Sequence, residues 1–137
     1  MVEPDERSER ADIQEGPHAA DAHLMRDVSR AMVKLYREQF GRGPETVWTR
    51  YSGPDAILCV LGNSLTPVER SMLQMGEDQR VRDIRTMFQH TAEPQFRTEV
   101  ERITGRRVIG FMSGMDVHND LSSEVFTLEP KPVAPHD

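Results

Sequence analysis

The chain predicts an α+β fold: a four-stranded antiparallel sheet with its helices on one face. Three observations lead there. Apolar residues recur at helical spacing over two stretches, 19–40 and 65–104. Four short runs rich in β-branched and apolar residues fall in two pairs, each pair joined by a turn. The resulting order, α-β-β-α-α-β-β, makes sequential strands antiparallel neighbours and leaves the helices to cover one side.

The first helix is predicted from Leu24, Val28, Met32, Leu35 and Phe40, with Ala31 and Tyr36 beside the stripe. Gly41 ends it, and Gly43-Pro44 keeps it ended. Residues 46–51 (TVWTRY) suit a pleated surface. Ser52-Gly53-Pro54-Asp55 is a turn, and 56–61 (AILCVL) is a continuous apolar run, as in a strand covered on both faces.

The longest helical signal follows. Thr66-Pro67-Val68-Glu69 is a capping box with proline at the first helical position. Val68, Met72 and Met75 form one stripe, and Val81, Ile84 and Phe88 form another on a different face. Either the helix breaks at Gly76 and restarts near Asp78, or one long helix buries two faces. Glu93-Pro94 is expected to start a further helix carrying Phe96, Val100 and Ile103, stopped by Gly105. Residues 107–115 then read as a third strand, 116–120 as a polar turn and 121–128 as a fourth strand. The serines, Glu124 and Thr127 give that last strand a wet face, which places it at an edge or toward solvent. Helix, Gly-Arg, strand, Ser-Gly-x-Asp and strand occur twice, at 41–55 and 105–116. Such residues are also common punctuation, and that is the simpler reading of the repeat.

The 137 residues suit one domain, predicted over 19–129, with a disordered tail at 1–18 and a second tail at 130–137. A net charge of -6 argues against general nucleic-acid binding, which needs a basic footprint. The single cysteine, Cys59, allows no internal disulfide and fits a reducing compartment. No apolar run is long enough to span a bilayer. The expectation is a cytoplasmic protein without direct membrane insertion.

The segments REQFGRGPETV (37–47), YSGPDAILCVLGNSLTPVER (51–70), GEDQRVRDIRTMFQ (76–89) and ERITGRRVIGFMSGMD followed by LSSEVFTLEP resemble the MpsC-like domain family. The resemblance covers residues 21 to 130. Its name ties it to a sodium-translocating, membrane-potential-generating system with membrane-embedded components. It therefore implies a soluble accessory or regulatory role in a membrane cation- or inorganic-carbon-handling system, peripheral to the membrane through a partner. It brings no catalytic motif.

Two clusters are candidates for chemistry. Arg80, Arg82 and Arg85, with Arg106 and Arg107, are weighed as a contact for an anion or an acidic partner. Interleaved Glu77, Asp78 and Asp83 also allow a solvated, salt-bridged face, with Asp78–Arg82 one pair. Asp116, His118 and Asp120 hold metal-ligand side chains, but they are ordinary turn residues too. Cys59 lies within an apolar run and reads as core, and His90 has no evident partner. No phosphate-loop or hydrolase motif occurs. The chain is expected to be non-enzymatic, to need no cofactor and to form a homo-oligomer. A small-ligand or anion sensor built on the arginines is the alternative.

Overall fold

A computed structural model describes residues 18–132. The tail expected over 1–18 lies, but for its last residue, outside the described residues, as does the end of the tail expected over 130–137. The elements are α1 (His18–Phe40), β1 (Thr46–Tyr51), β2 (Ala56–Gly62), α2 (Pro67–Gln74), α3 (Asp78–Thr104), β3 (Val108–Asp116) and β4 (Leu121–Leu128). The order is the predicted one, and the architecture is α+β.

The predicted stripe of α1 is its buried face, with Val28, Met32 and Tyr36 fully enclosed. Gly41 follows in the left-handed region at φ 81°, its N–H donating to the Arg37 carbonyl at 2.9 Å. The capping box of α2 is formed on both sides: Glu69 N–H donates to Thr66 Oγ1 at 3.2 Å, and Thr66 N–H donates to Glu69 Oε1 at 2.8 Å. The chain does break at Gly76, which takes φ 77°.

No separate helix starts at Pro94, contrary to expectation. α3 runs 27 residues straight through it. The physical reason is the register of the buried face, Val81, Arg85, Gln89, Ala92, Phe96 and Val100. That stripe never loses phase across Pro94, which sits on the exposed side. Two of its members are polar, so the apolar pattern in the sequence was interrupted where the helix was not.

The sheet is antiparallel, with strands in the order β1-β2-β4-β3. β4 is therefore central, not an edge. Its polar residues Ser122 and Glu124 are buried on the covered face with Phe126 and Leu128. β2 is covered on one face only: Ile57, Cys59 and Leu61 are enclosed, whereas Leu58 and Val60 on the other face are half-buried. α1 packs along β1 and against α3, and α3 packs along β3, so both long helices lie on the same side.

This arrangement places two helix–hairpin units, α1-β1-β2 and α3-β3-β4, in equivalent positions about the centre of the sheet. Gly41 and Gly105 are both left-handed caps. Arg42 donates to the carbonyl of Asn63, just past β2, at 3.0 Å. Arg106 likewise donates to the carbonyl of Glu129, just past β4, at 3.0 Å. The Gly-Arg mark of the sequence repeat thus has one structural job performed twice. The Ser-Gly-x-Asp mark does not: Ser52–Asp55 precedes β2 as a turn, whereas Ser113–Asp116 lies within β3.

Candidate functional site

The five arginines do not converge. Arg85 is 1% exposed, and its guanidinium donates to both Glu69 carboxylate oxygens at 2.7 Å each. It also donates to the Ser64 carbonyl at 2.9 Å and stands 3.7 Å from the centre of the Phe40 ring. Glu69 therefore caps α2 and neutralises a cation from α3, and these contacts overcome its burial to hold its carboxyl below the usual range. Arg80 pairs with Glu77 at 3.0 Å, and Arg82 is half-buried on the same helix. Arg106 is held by Asp55 at 2.6 Å and by the Pro54 carbonyl at 2.7 Å, while Arg107 is exposed. The length of α3 separates Arg80 and Arg82 from Arg106 and Arg107 by about 35 Å.

The residues of the polar turn also separate by role. Asp120, at φ 51°, accepts from the Ser64 N–H at 2.9 Å and from Arg70 at 2.9 Å, tying the β3–β4 turn to the entry of α2. His118 Nε2 lies 2.7 Å from Asp78 at the start of α3. Asp116 accepts from the Asn119 side chain at 2.8 Å, and the side-chain and backbone N–H groups of Asn119 hold its carboxyl low. Among the described residues, no group of three or more His, Cys, Asp or Glu is placed to hold a metal ion.

A buried polar network in the core was not legible as such. Glu124 Oε1 accepts from Tyr36 OH at 3.0 Å, Gln89 Nε2 at 3.0 Å and Ser113 Oγ at 2.8 Å. Among the described residues, Glu124 Oε2 and Ser122 Oγ have no partner. Burial outweighs the three donors and raises the Glu124 carboxyl from its ordinary 4.5 to about 7. Burial likewise pushes the Cys59 thiol up to about 12, so Cys59 is a buried core residue, not an activated nucleophile. His90 is exposed on α3.

Among the described residues, two open surfaces adjoin the sheet. The first is the sheet face opposite the helices. It carries Trp48, Met112 and Leu121, which are 42%, 59% and 44% exposed, together with half-buried Leu58, Val60 and Val125. The second is a groove of about 1200 Å³ between α1 and the outer edge of β1. Arg26, Arg30, Arg50 and Lys131 line it, along with Tyr51 and the paired Arg106 and Asp55; Asp21 is the other acid. The groove is therefore net positive in a chain of net charge -6. Ser52 N–H donates to the Ala56 carbonyl at 2.8 Å, closing the hairpin. Hydrogen-bonded pairs alternate in an antiparallel ladder, so Arg50 and Trp48 pair their backbones with β2. The N–H and C=O groups of Val47, Thr49 and Tyr51 then point out along the groove.

The architecture defines the class: a small α+β domain whose single sheet is covered on one face. The chain belongs to the MpsC family, described as "Na+-translocating membrane potential-generating system (MpsC)", whose model matches residues 20–130. No curated protein and no solved structure matches the chain. Among the described residues, no helix is long and apolar enough to cross a membrane.

Proposed function

We propose that this chain is a non-enzymatic accessory or regulatory protein of the Na+-translocating membrane system for which its family is named, and that it acts through protein–protein contacts. The observation that carries this reading is the groove beside β1. An edge strand with unpaired backbone groups, flanked by cations and by apolar side chains, suits an extended acidic segment added as a fifth strand. Main-chain hydrogen bonds supply affinity in that mode, and the flanking side chains supply selectivity. The buried ion pair and the buried carboxylate network support a structural role for the ionisable groups of the core.

The test is recovery of membrane components of that system from detergent extracts on the tagged full chain. The Arg26→Glu, Arg30→Glu double variant is expected to lose them, since both arginines face the groove from exposed positions on α1. Equal recovery by this variant would sink the reading, as would equal recovery from cells lacking the transport components.

A further inference from the structure

We infer that the uncovered sheet face is the interface of a two-fold symmetric homodimer, with the strands of the two copies crossing near a right angle. The inference uses the uncovered face of the sheet rather than the outer edge of β1, although Arg50 and Trp48 line the groove as well.

The register sets out the face row by row. One row holds Thr46, Gly62, Leu121 and Asp116; the next, Trp48, Val60, Ser123 and Gly114; the third, Arg50, Leu58, Val125 and Met112. Only two charged side chains stand on these rows. Arg50 is at one corner, on the edge strand β1, with its guanidinium carbon 5.6 Å from the centre of the Trp48 ring. Asp116 is at the diagonally opposite corner, on the edge strand β3. Strands lie about 4.8 Å apart and alternate residues about 6.8 Å apart along a strand, so the two corners are separated by about 14 Å in each direction.

That layout is self-complementary in one orientation. A two-fold axis lying between two such faces, along the other diagonal, places each Arg50 over the partner copy's Asp116. Both charges then meet their opposites, twice, by symmetry. Because the two separations are nearly equal, the diagonal runs at about 45° to the strands, and the copies pack as orthogonal sheets. Met112 falls on the axis and meets itself. Trp48 falls between the partner copy's Gly62 and Leu121 and meets Leu121, since the Thr46 hydroxyl already fills the space over Gly62.

Area also fits. Four strands span roughly 19 Å, and two such sheets crossed at a right angle share about 19 Å by 19 Å, on the order of 360 Å² in projection and more over the side-chain relief. Two copies therefore bury on the order of 800–1000 Å² in total, the size of a weak, reversible interface. A lipid surface is a poorer occupant, because one of the two charges on the face is acidic and the chain is net negative.

The test is sedimentation equilibrium of the full chain with exposed-residue variants. The wild type is expected to dimerise below about 100 μM. Arg50→Asp and Asp116→Lys, each alone, are expected to raise the dissociation constant at least tenfold, since each sets like charges face to face. Mixed together, they are expected to form a heterodimer, because both of its corner pairs are again opposite in sign. Met112→Cys is expected to oxidise to a linked dimer, as a position on the axis must, whereas Trp48→Cys is not. A wild type that stays monomeric at about 100 μM overturns the inference. So does a dimer indifferent to Arg50→Asp, or one whose Met112→Cys variant does not link. Asp116 also holds a turn, so the Arg50→Asp and Met112→Cys results decide if Asp116→Lys fails to fold.

Discussion

Glu124 is 0% exposed and carries a carboxyl raised to about 7, so its charge state changes within the physiological range. The folded chain holds that proton more tightly than the unfolded chain does. Its contribution to stability is therefore fully present below about pH 4.5 and lost as pH rises through about 7. At 1.36 kcal/mol per unit, the loss is about 3 kcal/mol. Glu69 acts in the opposite sense, because its carboxyl is held low by Arg85 and the Thr66 N–H; its contribution fades only as pH falls below the carboxylate range. Between pH 5 and 7.5 the slope thus belongs to Glu124. Glu124→Gln keeps an acceptor for Tyr36, Gln89 and Ser113 and removes the charge. Urea unfolding of this variant is expected to match the wild type near pH 5 and to exceed it by about 1–3 kcal/mol near pH 8. An unchanged pH slope in the variant would show that another group carries it. Nothing local in LSSEVFTL announces this burial, since alternation sets Ser122 and Glu124 on the same face as Phe126 whether that face is wet or dry. The burial is decided by β4 taking a central position, which is a matter of pairing with β2.

The same distinction explains the elements. Those with local signals were legible: the capping box of α2, the left-handed glycines, the two hairpins and the stripe of α1. The course of α3 was not, because Arg85 and Gln89 occupy its buried face and read as breaks in an apolar period. Arg85 looked like part of an exposed arginine group because acids stand near it in sequence. Its actual partner, Glu69, lies 16 positions away and was assigned only to capping. The pair fastens α2 to α3 across the left-handed Gly76, and removing one member strands the other charge in the interior. Glu69→Ala is expected to cost about 3–5 kcal/mol in urea unfolding, more than a lost cap alone. The double change Glu69→Leu, Arg85→Met is expected to cost less than the sum of the single changes. Additive losses would mean that the two side chains are not coupled.

Across the whole molecule, two equivalent helix–hairpin units join through β2 and β4, and this symmetry decides which backbone is sheltered. β2 and β4 have neighbours on both sides, whereas β1 and β3 each keep one open edge. An open sheet face was expected from the sequence, but neither the groove nor the layout of residues on that face was visible, because each is lined by residues from elements far apart in the chain. Hydrogen exchange separates what happens at the two. In the isolated chain, amides of β2 and β4 are expected to exchange slowest among the strands, and Val47, Thr49 and Tyr51 fastest within β1. Dimerisation through the open face covers side chains of Trp48, Leu58 and Met112 but leaves the outer edge of β1 unpaired. Raising the concentration of the chain alone should therefore leave those three amides fast. Addition of an extended partner strand pairs their backbone groups directly and should slow all three together, with no comparable change at Trp48 and Arg50. Slowing of Val47, Thr49 and Tyr51 by self-association would instead place the second copy in the groove, and would exchange the roles assigned to the two surfaces.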